Sequence, residues 1–315
     1  MRMKILLMAS ALIQAACLNS AAMASNALPE DYIRYPVMVA FEDGRSGSGF
    51  YITDEQGSAF FVTARHLFFF DPEKEGKTGV KGRLALLASY PREKNARFPI
   101  RLQLELPLLQ ERGYLRAHAE RDVMVIKVGN IAETPRGKTL LFSPGISLVA
   151  KPGEEPGNVS LVGAQRDVIK LYDETAIGNE IFIFGYPTSL GIETYPQIDY
   201  TKPLLRKGII AGVNEEKKSL ILDCPVIYGN SGGPVVESER IGLTEVRYSV
   251  VGMVSEFIPF DEKWYGINQP FNYRQIENSG YSVAIPMDVI LELIQETDQD
   301  IARRAALEEA ASTPP

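Results

Sequence analysis

The stretch Ile227-Tyr228-Gly229-Asn230-Ser231-Gly232-Gly233-Pro234 sets one serine among three glycines, between two apolar segments. A serine hydroxyl attacks a carbonyl only when a base takes its proton, and the tetrahedral oxyanion then needs donors already in place. Gly229 can adopt backbone angles closed to other residues, so the N–H groups of Gly229 and Ser231 could serve one small anion-binding cavity. Taken alone, the stretch also reads as an ordinary glycine-rich turn between strands. A base and a group to orient it decide between the two.

The chain has two histidines, His66 and His118. His66 follows the apolar run Phe61-Val62-Thr63-Ala64-Arg65, a position that presents a side chain from a rigid edge. His118, in Leu115-Arg116-Ala117-His118-Ala119-Glu120, reads as a surface or loop residue. A histidine base needs its Nδ1–H held by a carboxylate. Asp122, at the mouth of the apolar run Val123–Val128, can supply it, although an aspartate there can also be a strand-end cap. Cys224, seven residues before Ser231, is read as a small buried hydrophobe rather than a reactive thiol.

The segments that must carry these residues are short and apolar. Val37–Phe41, Gly49–Thr53, Ala59–Thr63, Arg83–Ala88, Val123–Val128, Ser147–Val149 and Ser160–Val162 fall in the first half. Glu180–Phe184, Gly208–Val213, Ser219–Leu222, Val235–Val236, Ser249–Val254 and Ser282–Ile285 follow. Strands of this length broken by Gly/Asp turns predict an antiparallel β fold, a sandwich or a pair of barrels. One helical turn is expected over Ala64–Phe70. A helix is expected from Pro286 to about Glu296, with Val289, Ile290, Leu293 and Ile294 on one face; residues 297–311 extend or restart it. The polar run 151–158 is the expected internal boundary.

With 315 residues, 45% hydrophobic and 23% charged, the chain is long enough for one large domain or two modest ones. Met1–Ala24 has a basic start, an apolar stretch and small residues ending in Ala22-Met23-Ala24, the pattern of a secretory signal cleaved after Ala24. A competing reading makes Cys17 a lipoprotein cysteine, but Gln14 stands where an apolar residue is expected. Losing Arg2 and Lys4 from the 33 basic residues leaves 31 against 40 acidic ones, a formal charge of −9. That balance gives no electrostatic case for nucleic acid, and no later run is long enough for a membrane span. The expected setting is periplasmic or secreted. With Cys224 then the one cysteine left, the fold must rest on its core rather than on a disulfide.

Together these pieces resemble the chymotrypsin-like (trypsin-like) serine proteases, and within them the bacterial HtrA-type peptidases. The matching residues are Ser46-Gly47-Ser48-Gly49-Phe50, Val62-Thr63-Ala64-Arg65-His66, Asp122–Val128, Gly185-Tyr186-Pro187, Gly208-Ile209-Ile210, Gly229–Pro234, Gly252–Ser255 and Val283–Pro286, in the family's order of His, Asp and Ser. The resemblance implies an all-β fold of two six-stranded antiparallel barrels with a C-terminal helix. Residues 30–150 would form the first barrel with His66 and Asp122, 151–175 the connection, 176–285 the second barrel with Ser231, and 286–311 the helix and tail. It implies an exported serine endopeptidase with catalytic His66, Asp122 and Ser231, an oxyanion hole from Gly229 and Ser231, and Ser255, Glu256 and Phe257 pairing with an extended polypeptide substrate. No cofactor or metal is implied. Asn230 replaces the aspartate that captures a new N-terminus in trypsin-like zymogens, so that activation route is not expected. About 18 residues follow the predicted helix, too few for the PDZ domain HtrA-type enzymes usually carry. Pro225, six residues before Ser231, replaces trypsin's acidic pocket floor, which favours a small or apolar residue before the cut. Two alternatives remain: a noncatalytic binding protein on the same scaffold, and a serine esterase.

Overall fold

The computed structural model describes residues 28–90, 99–134, 137–149, 161–187, 195–199, 201–242, 245–265 and 272–312. The expected signal segment with Cys17, the polar run 151–158 and Ser160 lie outside them. Among the described residues no helix is long and apolar enough to cross a membrane.

Two antiparallel sheets account for about half of the described residues. The first takes β1 (Pro36–Phe41), β2 (Ser46–Thr53), β3 (Ser58–Thr63), β4 (Leu84–Ser89), β5 (Ile100–Glu105), β6 (Leu115–Ala117), β7 (Met124–Thr134), β8 (Gly137–Phe142) and β9 (Ile146–Leu148). Its order is β6-β7-β3-β2-β1-β4-β5-β9, with β8 beside β7. The second is a closed six-stranded barrel of β10 (Glu180–Gly185), β11 (Leu204–Asn214), β12 (Ser219–Asp223), β15 (Asn272–Pro286), β14 (Glu245–Tyr265) and β13 (Pro234–Ile241), in that order. The all-β class with two curled sheets is therefore as expected, with the first sheet carrying nine strands along an open pairing order.

Alternation along the barrel strands divides the core in two. On β10, Ile181 and Ile183 point into the barrel with Ile210, Leu220, Leu222, Val251, Val254 and Cys224. Phe184, together with Val236, Val250 and Met253, points outward onto the core of the first sheet. One strand thus fills its own barrel and glues the two sheets together, as period-two side-chain placement allows. Cys224 is fully buried and free, and burial pushes its thiol up to about 11. It is the apolar filler expected, not a nucleophile.

Several segments differ from expectation. Ser160–Val162 contributes no strand: Leu161 and Val162 are irregular, and nearby Ala164 makes a single bridge to Ile52. Among the described residues four short α-helices occur, α1 (Glu30–Arg34) before β1, and α2 (Arg65–Phe68), α3 (Pro72–Glu75) and α4 (Leu106–Glu111) between strands; of these α2 lies on the expected turn. The final helix α5 runs unbroken from Met287 to Ser312. Val289, Ile290, Leu293 and Ile294 seat it in the core. Beyond them it is carried forward by Lys127 of β7 with Asp298 at 2.6 Å, Arg116 of β6 with Glu296 at 3.1 Å, and Arg304 Nη1 donating to the C=O of Glu111 in α4 at 3.0 Å. A helix that leaves the second barrel and docks on the first sheet straps the two together.

Candidate active site

His66 lies in α2, whose four residues follow directly from β3 through Ala64. β3 is buried along its whole length, so the turn leaves a fixed edge. Asp122 precedes β7, which pairs with β3 from Thr63–Met124 onward, and this register brings the aspartate beside the histidine. His66 N–H donates to Asp122 Oδ1 at 2.8 Å, and His66 Nδ1 lies 2.8 Å from Asp122 Oδ2. Two contacts from one carboxylate to one residue fix both the backbone and the ring. With Nδ1 carrying the proton, Nε2 is left as the basic atom. Ser255 Oγ, from β14, donates to the same Asp122 Oδ2 at 3.0 Å. The histidine side chain remains 48% exposed and the aspartate 27%.

Ser231 enters from the other sheet. Asn230 closes the turn before it: its N–H donates to Ile227 C=O at 3.0 Å, and its Oδ1 accepts Ile227 N–H at 3.1 Å. Asn230 is 1% exposed, so the loop is braced by a neutral side chain from within. Gly232 N–H donates to Val254 C=O at 2.8 Å and Gly233 N–H to Asn230 C=O at 2.9 Å. The amides of residues 230, 232 and 233 are thus all used, whereas those of Gly229 and Ser231 have no acceptor among the described residues. Gly229 has φ +95° and Gly232 φ +88°, the left-handed region that favours glycine.

The two halves face one cleft of about 390 Å³, lined by Arg65, His66, Asp122, Ser231, Ser255 and Phe257 among others. His66, Asp122 and Ser231 therefore line one cleft, and Gly229 lies in the loop that leads to Ser231 without lining it. Ser255, Glu256 and Phe257 line the same cleft. They lie on β14 beyond the last β13 pair, Pro234 with Met253, so their edge away from β15 has no strand partner among the described residues. Tyr228 and Phe257 meet edge to face at 6.3 Å on the cleft wall. Phe260 and Trp264 are half exposed on the β14–β15 arm, outside the lining.

Other residues around the site had no evident role in the sequence. Arg65 Nη1 donates to His118 C=O at 3.2 Å and Ala119 C=O at 2.7 Å, tying the histidine turn to the loop that delivers Asp122. Within that loop His118 Nδ1 accepts Glu120 N–H at 3.1 Å and Arg121 N–H at 3.0 Å. Burial and the nearby Arg121 guanidinium lower its basicity. Arg121 reaches the second barrel, donating to the carbonyls of Lys217 and Lys218. Lys81 Nζ donates to His66 C=O at 3.2 Å. Among the described residues no cluster of His, Cys, Asp or Glu could hold a metal.

A family model described as a trypsin-like peptidase domain matches residues 47–242. No curated protein matches the sequence. Among solved structures, the chain is similar to a variant of the HtrA-type protease AlgW with a tripeptide. The identity is 15% and the TM-score 0.43, over 87% of this chain and 62% of that one. Deg5 gives 14% and 0.43, over 84% of this chain and 88% of that one. A thermostable serine protease, AL20, gives 13% and 0.41, over 81% and 92%. The chain thus spans less than two thirds of the AlgW structure.

Proposed function

Because the chain belongs to the trypsin-like peptidase family of serine proteases, we propose that it is an exported endopeptidase that cleaves polypeptides through Ser231, His66 and Asp122. The observation that carries this reading is the cleft itself, which Ser231 lines together with a histidine whose backbone and ring are both held by one aspartate. Ser231 Oγ attacks the scissile carbonyl as His66 Nε2 takes its proton, and Asp122 stabilises the imidazolium. The oxyanion is met by the N–H groups of Gly229 and Ser231, the two in the loop that are not already spent. His66 then gives its proton to the leaving amine, and water resolves the acyl-enzyme by the same steps. The free edge at Ser255–Phe257 supports an added substrate strand there. Export rests on the sequence pattern of Met1–Ala24.

A fluorophosphonate probe followed by mass spectrometry tests the assignment. The adduct is expected on Ser231, and Ser231→Ala is expected to abolish casein cleavage with the fold intact. Full turnover by that variant would overturn the reading. Stronger turnover of esters with no amide cleavage would make the enzyme an esterase.

A further inference from the structure

Ser48 lies one residue beyond the last β2–β3 pair, Gly49 with Thr63, so the β3-facing edge of its peptide has no ladder partner. It is fully buried, and its polar groups leave the sheet. Its N–H donates to Ser231 C=O at 3.0 Å. Its hydroxyl donates to Gly229 C=O at 2.6 Å and accepts Tyr186 N–H at 2.8 Å. Its own C=O accepts the Thr63 hydroxyl at 2.6 Å. One residue of the first sheet therefore grips the nucleophile loop of the second barrel on both sides of Asn230.

Resting on the endopeptidase reading above, we propose that Ser48 is a positioning residue for the nucleophile and for the oxyanion donor on the same residue, Ser231 N–H. Holding Gly229 C=O and Ser231 C=O fixes the peptide planes on either side of the one that carries Ser231 N–H. The middle plane is itself pinned by Gly233 N–H on Asn230 C=O. With three consecutive planes fixed, the amide of Ser231 keeps one direction without a hydrogen bond of its own. Thr63 stands three residues before His66, so the Thr63–Ser48 contact also sets the distance between the base and the nucleophile loop. The fit is tight: a Cβ on Gly232 would fall 2.0 Å from Ser48 C=O and 2.4 Å from Thr63 Oγ1.

The test compares wild type, Ser48→Ala, Ser48→Thr and Thr63→Val on a fluorogenic peptide carrying a bond that the wild type cuts in casein. Ser48→Ala is expected to lower kcat by about 10- to 100-fold, with KM within about twofold. It should weaken a peptide aldehyde inhibitor by the same factor, while affinity for the product peptide holds. Ser48→Thr, which keeps the hydroxyl, should restore most of kcat, and Thr63→Val should lower it by a smaller factor. A reduced melting temperature with unchanged kcat, or a rise in KM alone, would overturn the proposal. If Ser48→Ala does not fold, Thr63→Val decides on the same criterion. A wild type with neither casein cleavage nor a Ser231 adduct would overturn the endopeptidase reading, and this proposal with it.

Discussion

His66 and Asp122 stand on the open first sheet and are held there by partly exposed side chains, whereas Ser231 stands on the closed barrel in a loop held mainly by backbone and by buried neutral side chains. On the first side the contacts come from Asp122, Arg65, Lys81 and His118, partly exposed groups that can titrate or be truncated without displacing a strand. On the second side most contacts are amide to carbonyl, joined by two buried neutral side chains, Ser48 and Asn230, and the packing leaves Gly232 and Gly233 no room for a side chain. The difference is physically sensible. A base must move a proton and stay near water, while oxyanion donors gain most when they cannot reorient during reaction. Substitutions should accordingly cost stability on the barrel side and rate on the sheet side.

Gly232→Ala is the harshest break on the barrel side. Its φ is +88°, and the added Cβ would overlap backbone oxygen rather than a flexible side-chain end. A loss of roughly 3 kcal/mol and of all cleavage is expected, read by urea unfolding and casein hydrolysis. Gly44→Ala is the control: its φ is +86° but nothing lies within 4 Å of an added Cβ. It should lose only about 1 kcal/mol and stay active. Equal losses at the two positions would show that backbone strain, not the grip of the first sheet, limits the loop.

Asp122→Asn is the matching break on the sheet side. The amide keeps the shape but favours the wrong histidine tautomer, so kcat should fall by about 10⁴-fold while the melting temperature barely moves. Unfolding at the same denaturant concentration as wild type, with the activity gone, would separate rate from stability as the comparison requires.

Much of this site was legible in the sequence because its parts are chemically rare. Two histidines and one serine among glycines leave few combinations, and short strands with Gly/Asp turns set the fold class. The supporting contacts were not legible. Arg65 is adjacent to His66 in sequence, yet its partners His118 and Ala119 are set by the register of β3 on β7, which no local pattern encodes. Ser48 sits in a recognisable motif, but its task depends on where β2–β3 pairing stops and on a loop 181 residues away. Whether α5 would extend through residues 297–311 or restart there was left open by the sequence. Its second half is polar, and what extends it is a set of charge pairs and a side-chain-to-carbonyl hydrogen bond to residues distant in the chain.

Arg65→Ala acts on the sheet side with a smaller expected effect. It removes the tie between the histidine turn and the Asp122 loop while leaving His66 and Asp122 themselves intact. A fall of about tenfold in kcat is expected, with stability within about 1 kcal/mol of wild type. A stability loss of several kcal/mol with unchanged kcat would place this loop with the barrel side instead.

The smallest effect concerns His118 and is read through pH. Its Nδ1 accepts two loop amides, and protonation turns that atom into a donor, so both contacts are lost. Burial first, and then the Arg121 guanidinium, lower its folded pKa; Glu296, Glu120 and Glu292 pull the other way without reversing the shift. A histidine whose folded pKa lies below its unfolded value of about 6.5 binds fewer protons when folded. Its contribution is therefore complete above that pH and is lost as pH falls through the folded value. His118→Asn keeps an acceptor for amides two and three residues on, but does not titrate in this range. Between pH 7.5 and 5 the wild type should lose more unfolding free energy than His118→Asn, in parallel urea titrations. Identical losses would mean that the loop delivering Asp122 does not depend on the charge state of His118, and that the sheet side is less sensitive to pH than its exposed side-chain contacts imply.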